Sequence, residues 1–374
     1  MGRSFELIKN RWIGDGYPCF IIAEIGQNHQ GDIEIAKKLI KMAKDCGADC
    51  VKFQKSDLYA KFTKSVLDRQ YESPHAWGST YGEHKQFLEF SKDQYEELMA
   101  FASSLNIHFT ASAMDDVSVD FLVNLRVPFL KIGSGDANNL ILLEKAAKIN
   151  LPIVYSTGMQ DMKTVIRAME VMNSFNSKVC LLQCTSSYPT PEDEVHLRVM
   201  QTYRDHFPRS PVGYSGHELG LTITLAAAAL GAHVIERHIT LDKSWKGNDH
   251  ACSLDETELK LLVEGIRTIE KALGSAIKSK QPSEEPCHQK LGKSIVGKQR
   301  LEAGIKLCSE EPCHQKLGKS IVGKQKLEAG IKLCKEHLTV KVGQPVGWPP
   351  QDLDLLIGKT LSRDVDEDET ITLD

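Results

Sequence analysis

Ionisable side chains stand inside or at the end of short apolar runs between residues 19 and 240. His217 and His238 close two of these runs, whereas Lys52 and Lys131 lie inside two others. A charge inside an apolar strand is costly unless it is paired or functional. Each lysine is therefore either part of a structural ion pair or a ligand for an anion. Each histidine alone is most simply a core residue, but two imidazoles brought together could hold one divalent cation and leave positions for water and substrate.

Each of eight apolar runs carries a polar group near its end. The runs are 19–26, 48–54, 107–114, 129–135, 152–159, 179–186, 211–217 and 233–240. Their polar groups are, in order, Glu24; Lys52 and Gln54; Ser112; Lys131 and Ser134; Ser156; Ser186 and Tyr188; Ser215 and His217; and His238. Hydroxyls and two lysines together suit a phosphate and a carboxylate, and Glu24 suits proton transfer or the holding of a water. Two imidazoles with oxygen donors favour Mn²⁺ or Mg²⁺ over a structural zinc.

The segments between these runs have helical periodicity, as in 33–46, where apolar residues recur along one stripe. Strands that alternate with helices pair in parallel, because parallel neighbours need a crossover connection. Eight repeats over about 270 residues match the size of a (β/α)8 TIM barrel, whose strand ends meet at one mouth. An open, doubly wound sheet is the alternative, although no G-x-G-x-x-G follows the first strand.

The connection after the second run, roughly 56–92, is longer than the others and contains SPHAWGSTYGEHKQF. A long connection at the C-terminal rim of a barrel strand is typical of a lid or substrate loop, and a plain insertion is the alternative. Basic residues within it could neutralise the phosphate of a sugar: Lys61, Lys64, Arg69, His75, His84 and Lys85.

The C-terminal third contains a tandem duplication. Ser283–Cys308 is followed at once by Ser309–Cys334, and the two copies differ only at Arg300 and Lys326. Two copies do not make a solenoid, which needs at least three stacked units. We expect a barrel domain over 1–282, a linker carrying the first copy over 283–308, and a small β-rich domain over 309–374. The second copy should form this domain, because it runs without a break into the remaining strands, while the first loops out.

Composition excludes several classes of function. The net charge of −4 argues against a general nucleic-acid or membrane surface, and no apolar stretch is long enough to span a bilayer. The N-terminal residues lack the apolar core of a secretory signal, so free thiols are expected for the ten cysteines. We therefore expect a cytoplasmic protein.

Most of the candidate site residues lie in motifs that resemble those of the sialic acid synthase family. The motifs are AEIGQNHQGD (23–32), ADCVKFQKS (48–56), KIGSGDANN (131–139), STGM (156–159), QCTSSYPTPED (183–193), GYSGHE (213–218) and ERHITLDKSWKGNDH (236–250). The later LGKSIVGKQKLEAG…LTVKV resembles the antifreeze-like (SAF) domain of that family. The resemblance covers nearly the whole chain in the family's order. It implies a TIM barrel followed by a small SAF domain.

The resemblance also implies roles for individual residues. His217 and His238 match the family's Mn²⁺ ligands. The positions that match its phosphoenolpyruvate contacts are Lys52, Ser112, Lys131, Ser134, Ser156, Ser186 and Ser215. The positions that match groups around the sugar and a metal-bound water are Glu24, Gln54, Tyr188 and Asp249.

The implied reaction is condensation of phosphoenolpyruvate with an N-acylmannosamine-type sugar in a domain-swapped homodimer. The TYGEHK and GYSGHE motifs resemble those of the animal members, which take N-acetylmannosamine 6-phosphate. Free N-acetylmannosamine and mannose 6-phosphate, which gives a KDN-type product, stay open as acceptors. A non-catalytic binding protein, with the barrel as scaffold, is the alternative from another functional class.

Overall fold

The computed structural model describes residues 2–295, 299–303, 319–342 and 347–371. The chain divides into two compact units between Gly274 and Ser275. Within the described ranges, no helix is both long and apolar enough to cross a membrane.

The first unit begins with an antiparallel hairpin that the sequence analysis did not anticipate. It consists of β1 (Ser4–Ile8) and β2 (Arg11–Gly14). Phe5, Leu7 and Ile13 of this hairpin are buried in one cluster with residues such as Phe20 and Phe129. The hairpin therefore covers the N-terminal end of the sheet that follows.

A closed barrel of eight parallel strands confirms the predicted (β/α)8 architecture. The strands are β3 (Phe20–Gly26), β4 (Cys50–Lys55), β5 (His108–Ala113), β6 (Leu130–Ile132), β7 (Ile153–Ser156), β8 (Val179–Cys184), β9 (Val212–Gly216) and β10 (Val234–His238). They pair in chain order, and β10 returns to pair with β3. All eight coincide with the predicted runs to within a few residues.

Helices lie between and after these strands. They are α1 (Ile33–Asp45), α2 (Leu58–Lys61), α3 (Lys64–Leu67), α4 (Tyr81–Leu88), α5 (Lys92–Ser104), α6 (Asp116–Asn124), α7 (Leu140–Lys148), α8 (Met162–Asn173), α9 (Val199–His206), α10 (Thr222–Ala229) and α11 (Glu256–Leu273). Side-chain caps begin many of them; Asp32, Ser91 and Asp255, for example, accept backbone N–H groups at the starts of α1, α5 and α11. Apolar faces such as that of α1 pack against the outside of the barrel.

The long connection after β4, the segment 56–92, is called the lid below. It contains the three short helices α2, α3 and α4 rather than a plain loop. Thr80 and Glu83 form a capping box at the start of α4. Trp77 stacks on Phe87 with ring centroids 4.6 Å apart. These local contacts give the lid a structure of its own.

The second unit is β-rich, as expected. Its elements are α12 (Glu285–Leu291), β11 (Ser294–Ile295), β12 (Gln299–Ala303), β13 (Lys319–Gly323), β14 (Leu338–Val342), α13 (Leu353–Leu356) and β15 (Arg363–Asp366). One sheet has the order β11-β13-β14, and β12 pairs with β15. A buried cluster around Trp348 includes Ile321, Leu327 and Leu333 of the second copy.

The first copy also contributes to these sheets. Its β11 pairs with β13, and its β12 pairs with β15. These two strands therefore do not loop out, in contrast to what we expected for the first copy. A strand edge accepts any partner with the right register, and the two copies share nearly one sequence. The stretches 296–298 and 304–318 lie outside the described residues, and the domain limits at 282 and 308 remain predictions.

Candidate active site

A cavity of about 500 Å³ opens at the C-terminal ends of the barrel strands. This is where TIM barrels carry their functional groups. Its lining includes the predicted residues Glu24, Lys52, Gln54, Ser112, Lys131, Ser134, Ser156, Ser186, Tyr188, Ser215, His217 and His238. Of the predicted site residues, Asp249 alone lies elsewhere, in an adjoining cavity.

The strand register explains why these side chains converge. Inward positions alternate along a strand, so the apolar Phe20 and Ile22 of β3 lead to Glu24 at its end. Across the ladder, Glu24 pairs with Lys52 on one side and with His238 on the other. Farther round, Ser112 pairs with Lys131, and Ser215 with Glu236. The charged layer therefore lies directly above the apolar interior; it is called the floor below.

The two floor lysines are paired with two buried carboxylates. Lys52 Nζ lies 2.5 Å from Glu24 Oε2 and 3.7 Å from Glu236 Oε1, and Lys131 Nζ lies 3.4 Å from Glu236 Oε1. Lys52 also donates to Ser112 Oγ at 2.9 Å, and Ser215 Oγ donates to Glu236 at 3.1 Å. The four ionisable side chains are nearly inaccessible to solvent. Their charges offset one another inside the barrel, where an unpaired charge would be strongly unfavourable.

Electrostatics distinguishes the two carboxylates. Burial raises the pKa of Glu24, against the opposing effect of Lys52. Burial also opposes ionisation of Glu236, yet Lys131 and Lys52 hold the pKa of that carboxyl below its usual range. Burial lowers the pKa of Lys131, and Glu236 opposes that shift. Glu24 is therefore the floor carboxyl better suited to carry a proton, while Glu236 is a fixed negative charge.

Hydroxyl groups above the floor lack partners. Ser156 Oγ and Ser186 Oγ are buried without a hydrogen bond to any described residue. Ser134 Oγ accepts the N–H of Gly158 at 3.0 Å. A Cβ at Gly158 would lie 2.2 Å from Ser186 Oγ and 2.7 Å from Ser134 Oγ, so a larger residue here would displace these hydroxyl groups. Unsatisfied hydroxyls beside two lysines form a site for an anion with several oxygens.

His217 and His238 lie side by side at the mouth, with ring centroids 5.5 Å apart. His217 Nδ1 lies 3.0 Å from the carbonyl oxygen of Thr185. A carbonyl can only accept, so Nδ1 carries the hydrogen, and in the neutral ring Nε2 has a lone pair. His238 Nδ1 is buried without a hydrogen-bond partner among the described residues. Tyr188 covers this pair, with its ring centroid 4.2 Å from that of His217.

This donor set fits a cation that takes its other ligands from water and substrate. No group of three His, Cys, Asp or Glu side chains in the described ranges is arranged to hold a metal. Two imidazoles with free nitrogens could nevertheless supply two of the ligands of a divalent cation, with water and substrate supplying the others. Gly26, with φ of 57°, leaves room beside them, since a Cβ there would lie 3.2 Å from both His238 Cε1 and Gln54 Nε2.

A buried ion pair fixes the backbone next to both histidines. Arg237 donates to the Glu218 side chain at 2.9 Å and to the Glu218 carbonyl at 2.6 Å. Thr224 and Tyr214 donate to the same carboxylate at 2.6 and 2.7 Å. Glu218 follows His217 and Arg237 precedes His238, so the pair sets the spacing of the two strand ends.

Asp249 lines the adjoining cavity of about 140 Å³ together with Gln54, Lys85 and Lys246. Burial raises the pKa of Asp249, and His217 lowers it. Gln54 lines both cavities. Asp249 therefore belongs to an extension of the site beyond the histidines rather than to the floor.

Sequence reasoning missed several lining residues, including Glu236 and Asp136, whereas Lys61 was among the basic residues that it singled out. Glu236 precedes His238 by two positions, and the two-residue period of a strand puts both on one face. That spacing was the signal that could have identified Glu236. Lys61 belongs to the lid, whose contribution to the cavity depends on its tertiary packing.

Comparison with known proteins places this cavity in a family. The NeuB family model matches residues 39–278, and the SAF domain model matches 318–374. The chain is 50% identical to human N-acetylneuraminate-9-phosphate synthase over 371 residues, which cover 99% of this chain and 96% of the human protein. It is 51% identical to the Drosophila melanogaster protein of the same name, covering 94% of each. A crystal structure of N-acetylneuraminic acid synthetase from Leptospira borgpetersenii, in complex with citrate, superposes with a TM-score of 0.66 at 33% identity, covering 76% of this chain and 95% of that one.

Proposed function

The chain belongs to the NeuB family, and we propose that it condenses phosphoenolpyruvate with N-acetylmannosamine 6-phosphate. The products are N-acetylneuraminate 9-phosphate and inorganic phosphate. In the nine-carbon product, C1 to C3 come from phosphoenolpyruvate and C4 to C9 come from the sugar. C6 of the acceptor therefore becomes C9 of the product. The name of the human and fly relatives therefore supports a phosphorylated acceptor.

One observation carries the proposal: two buried lysines of the floor lie below two buried hydroxyl groups, Ser156 and Ser186, that have no partner in the described residues. Phosphoenolpyruvate offers a phosphate and a carboxylate, and these match two ammonium groups and several O–H donors. We assign the phosphoenolpyruvate contacts to Lys52, Ser112, Lys131, Ser134, Ser156, Ser186 and Ser215. A binding scaffold has no use for this layer, because the burial of two lysines is costly.

The acceptor belongs above this floor. His217 and His238 would hold a divalent cation, Mn²⁺ or Mg²⁺, which when bound polarises a carbonyl oxygen as a Lewis acid. Gln54 and Tyr188 line the cavity of the two imidazoles, Asp249 lines the adjoining one, and the three would position the sugar.

The bond changes balance without a covalent enzyme intermediate. C3 of phosphoenolpyruvate attacks C1 of the open-chain sugar, whose aldehyde oxygen takes up a proton. Water then adds at C2, and phosphate leaves C2 with its bridging oxygen. Glu24 is the floor residue best suited to hold a water or a proton, since burial raises its pKa and Gln54 donates to it at 3.2 Å. Preorganised charge supplies the remaining stabilisation.

Assembly and location follow from family resemblance. We expect a homodimer in which the antifreeze-like domain of one subunit caps the barrel mouth of the other, in the cytoplasm. We also expect 309–374 to form that domain. Light scattering after size-exclusion chromatography measures the mass of the assembly in solution. The mass of a single chain would contradict the homodimer.

An assay of phosphate release tests the function. The purified chain is given phosphoenolpyruvate, Mn²⁺ and, in parallel, N-acetylmannosamine 6-phosphate, N-acetylmannosamine, mannose 6-phosphate and mannose. We expect kcat/KM to be about 10- to 100-fold higher for the first acceptor than for its free sugar, the range of one or two charge-assisted hydrogen bonds. A preference for mannose 6-phosphate would indicate a KDN-type synthase. If no phosphate is released with any of the four acceptors, the result would favour a binding protein.

A further inference from the structure

Two lysines of the lid face the site without a carboxylate partner. Lys61 Nζ lies 2.9 Å from Met114 Sδ and 5.1 Å from the ring centroid of Phe62. Lys85 Nζ donates to Gln27 Oε1 at 3.0 Å. Neither ammonium forms an ion pair with any Asp or Glu among the residues that the structure describes. Both side chains are only partly exposed, so water does not fully replace the missing charge.

Both lysines line one small cavity, of about 80 Å³, beside the main one. Lys61 also lines the main cavity, and Lys85 lines the cavity of Asp249. Gln54 lines all three spaces. The two ammonium groups therefore sit where a substrate held at the histidine pair extends toward the lid.

The surroundings lower the pKa of both lysines. Burial lowers the pKa of Lys85 and the positive charge of Lys61 lowers it further, whereas Asp249 and Glu89 oppose that shift. Burial also lowers the pKa of Lys61, with Asp136 opposing. Two of the nearby carboxylates are engaged by other partners: Glu89 pairs with Lys55, and Asp115 accepts the N–H of Asp57 at 2.7 Å. Asp249 shares a cavity with Lys85 but forms no ion pair with it in the described residues. Two like charges held together away from bulk water favour a shared anion.

We propose that Lys61 and Lys85 form the subsite for the phosphate group of the acceptor, a proposal that rests on the function given above. A phosphate dianion offers several oxygens to two donors of like charge and removes their repulsion. The floor lysines do not serve this group, because they and their hydroxyl neighbours are assigned to phosphoenolpyruvate.

Three other basic residues of the lid are less suited. Burial lowers the pKa of His84 to about 4, and its Nδ1 accepts the N–H of Trp77 at 3.2 Å, so the ring is neutral. His75 Nδ1 accepts the N–H of Gly247 at 3.1 Å. Lys64 is exposed and lines a separate groove on the outer face of the lid. Lys64 is therefore the matched control, with the same charge in the same segment.

Acceptor kinetics test the assignment. In Lys85→Met and Lys61→Met, kcat/KM for N-acetylmannosamine 6-phosphate should fall about 10- to 100-fold, the scale of a lost charge-assisted hydrogen bond. The value of kcat/KM for free N-acetylmannosamine should change by less than about threefold, and so should KM for phosphoenolpyruvate. Lys64→Met should match the parent with both acceptors. Lys85→Arg should retain most of the preference for the phosphorylated sugar, because it keeps the charge.

Each other outcome has a distinct meaning. An equal loss with both acceptors in the Met variants, and in Lys61→Gln and Lys85→Gln, would show a structural role and overturn the subsite. No change in any variant would place the phosphate elsewhere and overturn it as well. Failure of the proposed function looks different, since the parent protein would then release phosphate with neither acceptor.

Discussion

The floor and the lid both carry lysines, but only the floor supplies their counter-ions. Lys52 and Lys131 are paired with Glu24 and Glu236 deep in the barrel. Lys61 and Lys85, in contrast, lie together without a carboxylate partner in the described residues. The difference separates a preorganised layer, which exists before substrate arrives, from a region whose charge balance is completed by the ligand.

This difference has consequences for stability and specificity. A buried pair is expensive to break, because the partner that remains is a buried, uncompensated charge. A lysine without a partner can be removed at little cost to the fold, yet its loss removes a contact to the substrate. Floor substitutions should therefore affect folding or all acceptors, and lid substitutions should affect one class of acceptor.

The largest effect is expected at the mouth just above the floor. His217→Ala and His238→Ala should each lower metal-supported turnover by about 10³-fold or more, because either change leaves a single imidazole for the cation. Phosphate release with added Mn²⁺ and direct Mn²⁺ binding measure this. His206→Ala is the control, since His206 is exposed on α9. EDTA-sensitive activity retained by either site variant would contradict the assignment.

Two substitutions, measured together, test the difference in charge compensation between the floor and the lid. Glu236→Gln should lower the free energy of unfolding by about 3 kcal/mol, because Lys131 and Lys52 lose a buried counter-ion. Lys85→Met should change it by less than about 1 kcal/mol or raise it slightly, since no pair is lost. Urea denaturation at pH 7 without ligand gives both values. Equal losses would remove the distinction between floor and lid.

A buried histidine adds a pH dependence at the junction of the two regions. His29 follows β3 and stacks on Phe90, just beyond α4, with centroids 4.1 Å apart, and burial lowers its pKa to about 3. Its unfolded pKa is higher, so the unfolded chain binds more protons as the pH falls from about 6.5 and the folded state loses stability. His29→Gln should therefore lose about 2 kcal/mol less than the parent between pH 7 and pH 5. Identical pH profiles in denaturant titrations would contradict this.

The smallest effect is expected outside both regions. Deleting Ser283–Cys308 should change activity by less than about twofold, because the described core of the second unit takes Ile321, Leu327 and Leu333 from the second copy. The tether length matters little, since doubling a loop costs only about 0.6 kcal/mol. The deletion removes α12, β11 and β12, but Leu327 already bridges to Val365 and β13 keeps its partner β14. An inactive or unfolded product would show that the first copy is essential.

The floor was largely predictable from sequence, and the lid was not. Apolar runs indicate the barrel strands, and the strand ends must meet at one mouth, so the sequence alone was enough to group Lys52, Lys131 and the two histidines. Glu236 was missed because only the last positions of each strand were considered. The hairpin β1–β2 was missed because its strands are short and partly polar.

Charge compensation is a tertiary property that no sequence pattern indicated. Lys52 and Glu24 are 28 positions apart, and only the register of β3 and β4 makes them partners. The lid helices α2 and α3 have four residues each, too few for a periodic pattern. Packing therefore decided which of the six basic residues line a cavity, and it placed Lys61 and Lys85 together at the small one.

The most direct test of the proposed reaction uses phosphoenolpyruvate labelled with ¹⁸O at the bridging oxygen. With N-acetylmannosamine 6-phosphate and Mn²⁺, we expect one released phosphate for each nine-carbon sugar acid formed. The label should appear in that phosphate, because C2 takes its new oxygen from water. Mass spectrometry of both products reads the outcome. Label retained in the organic product, or phosphate released without a nine-carbon acid, would contradict the account.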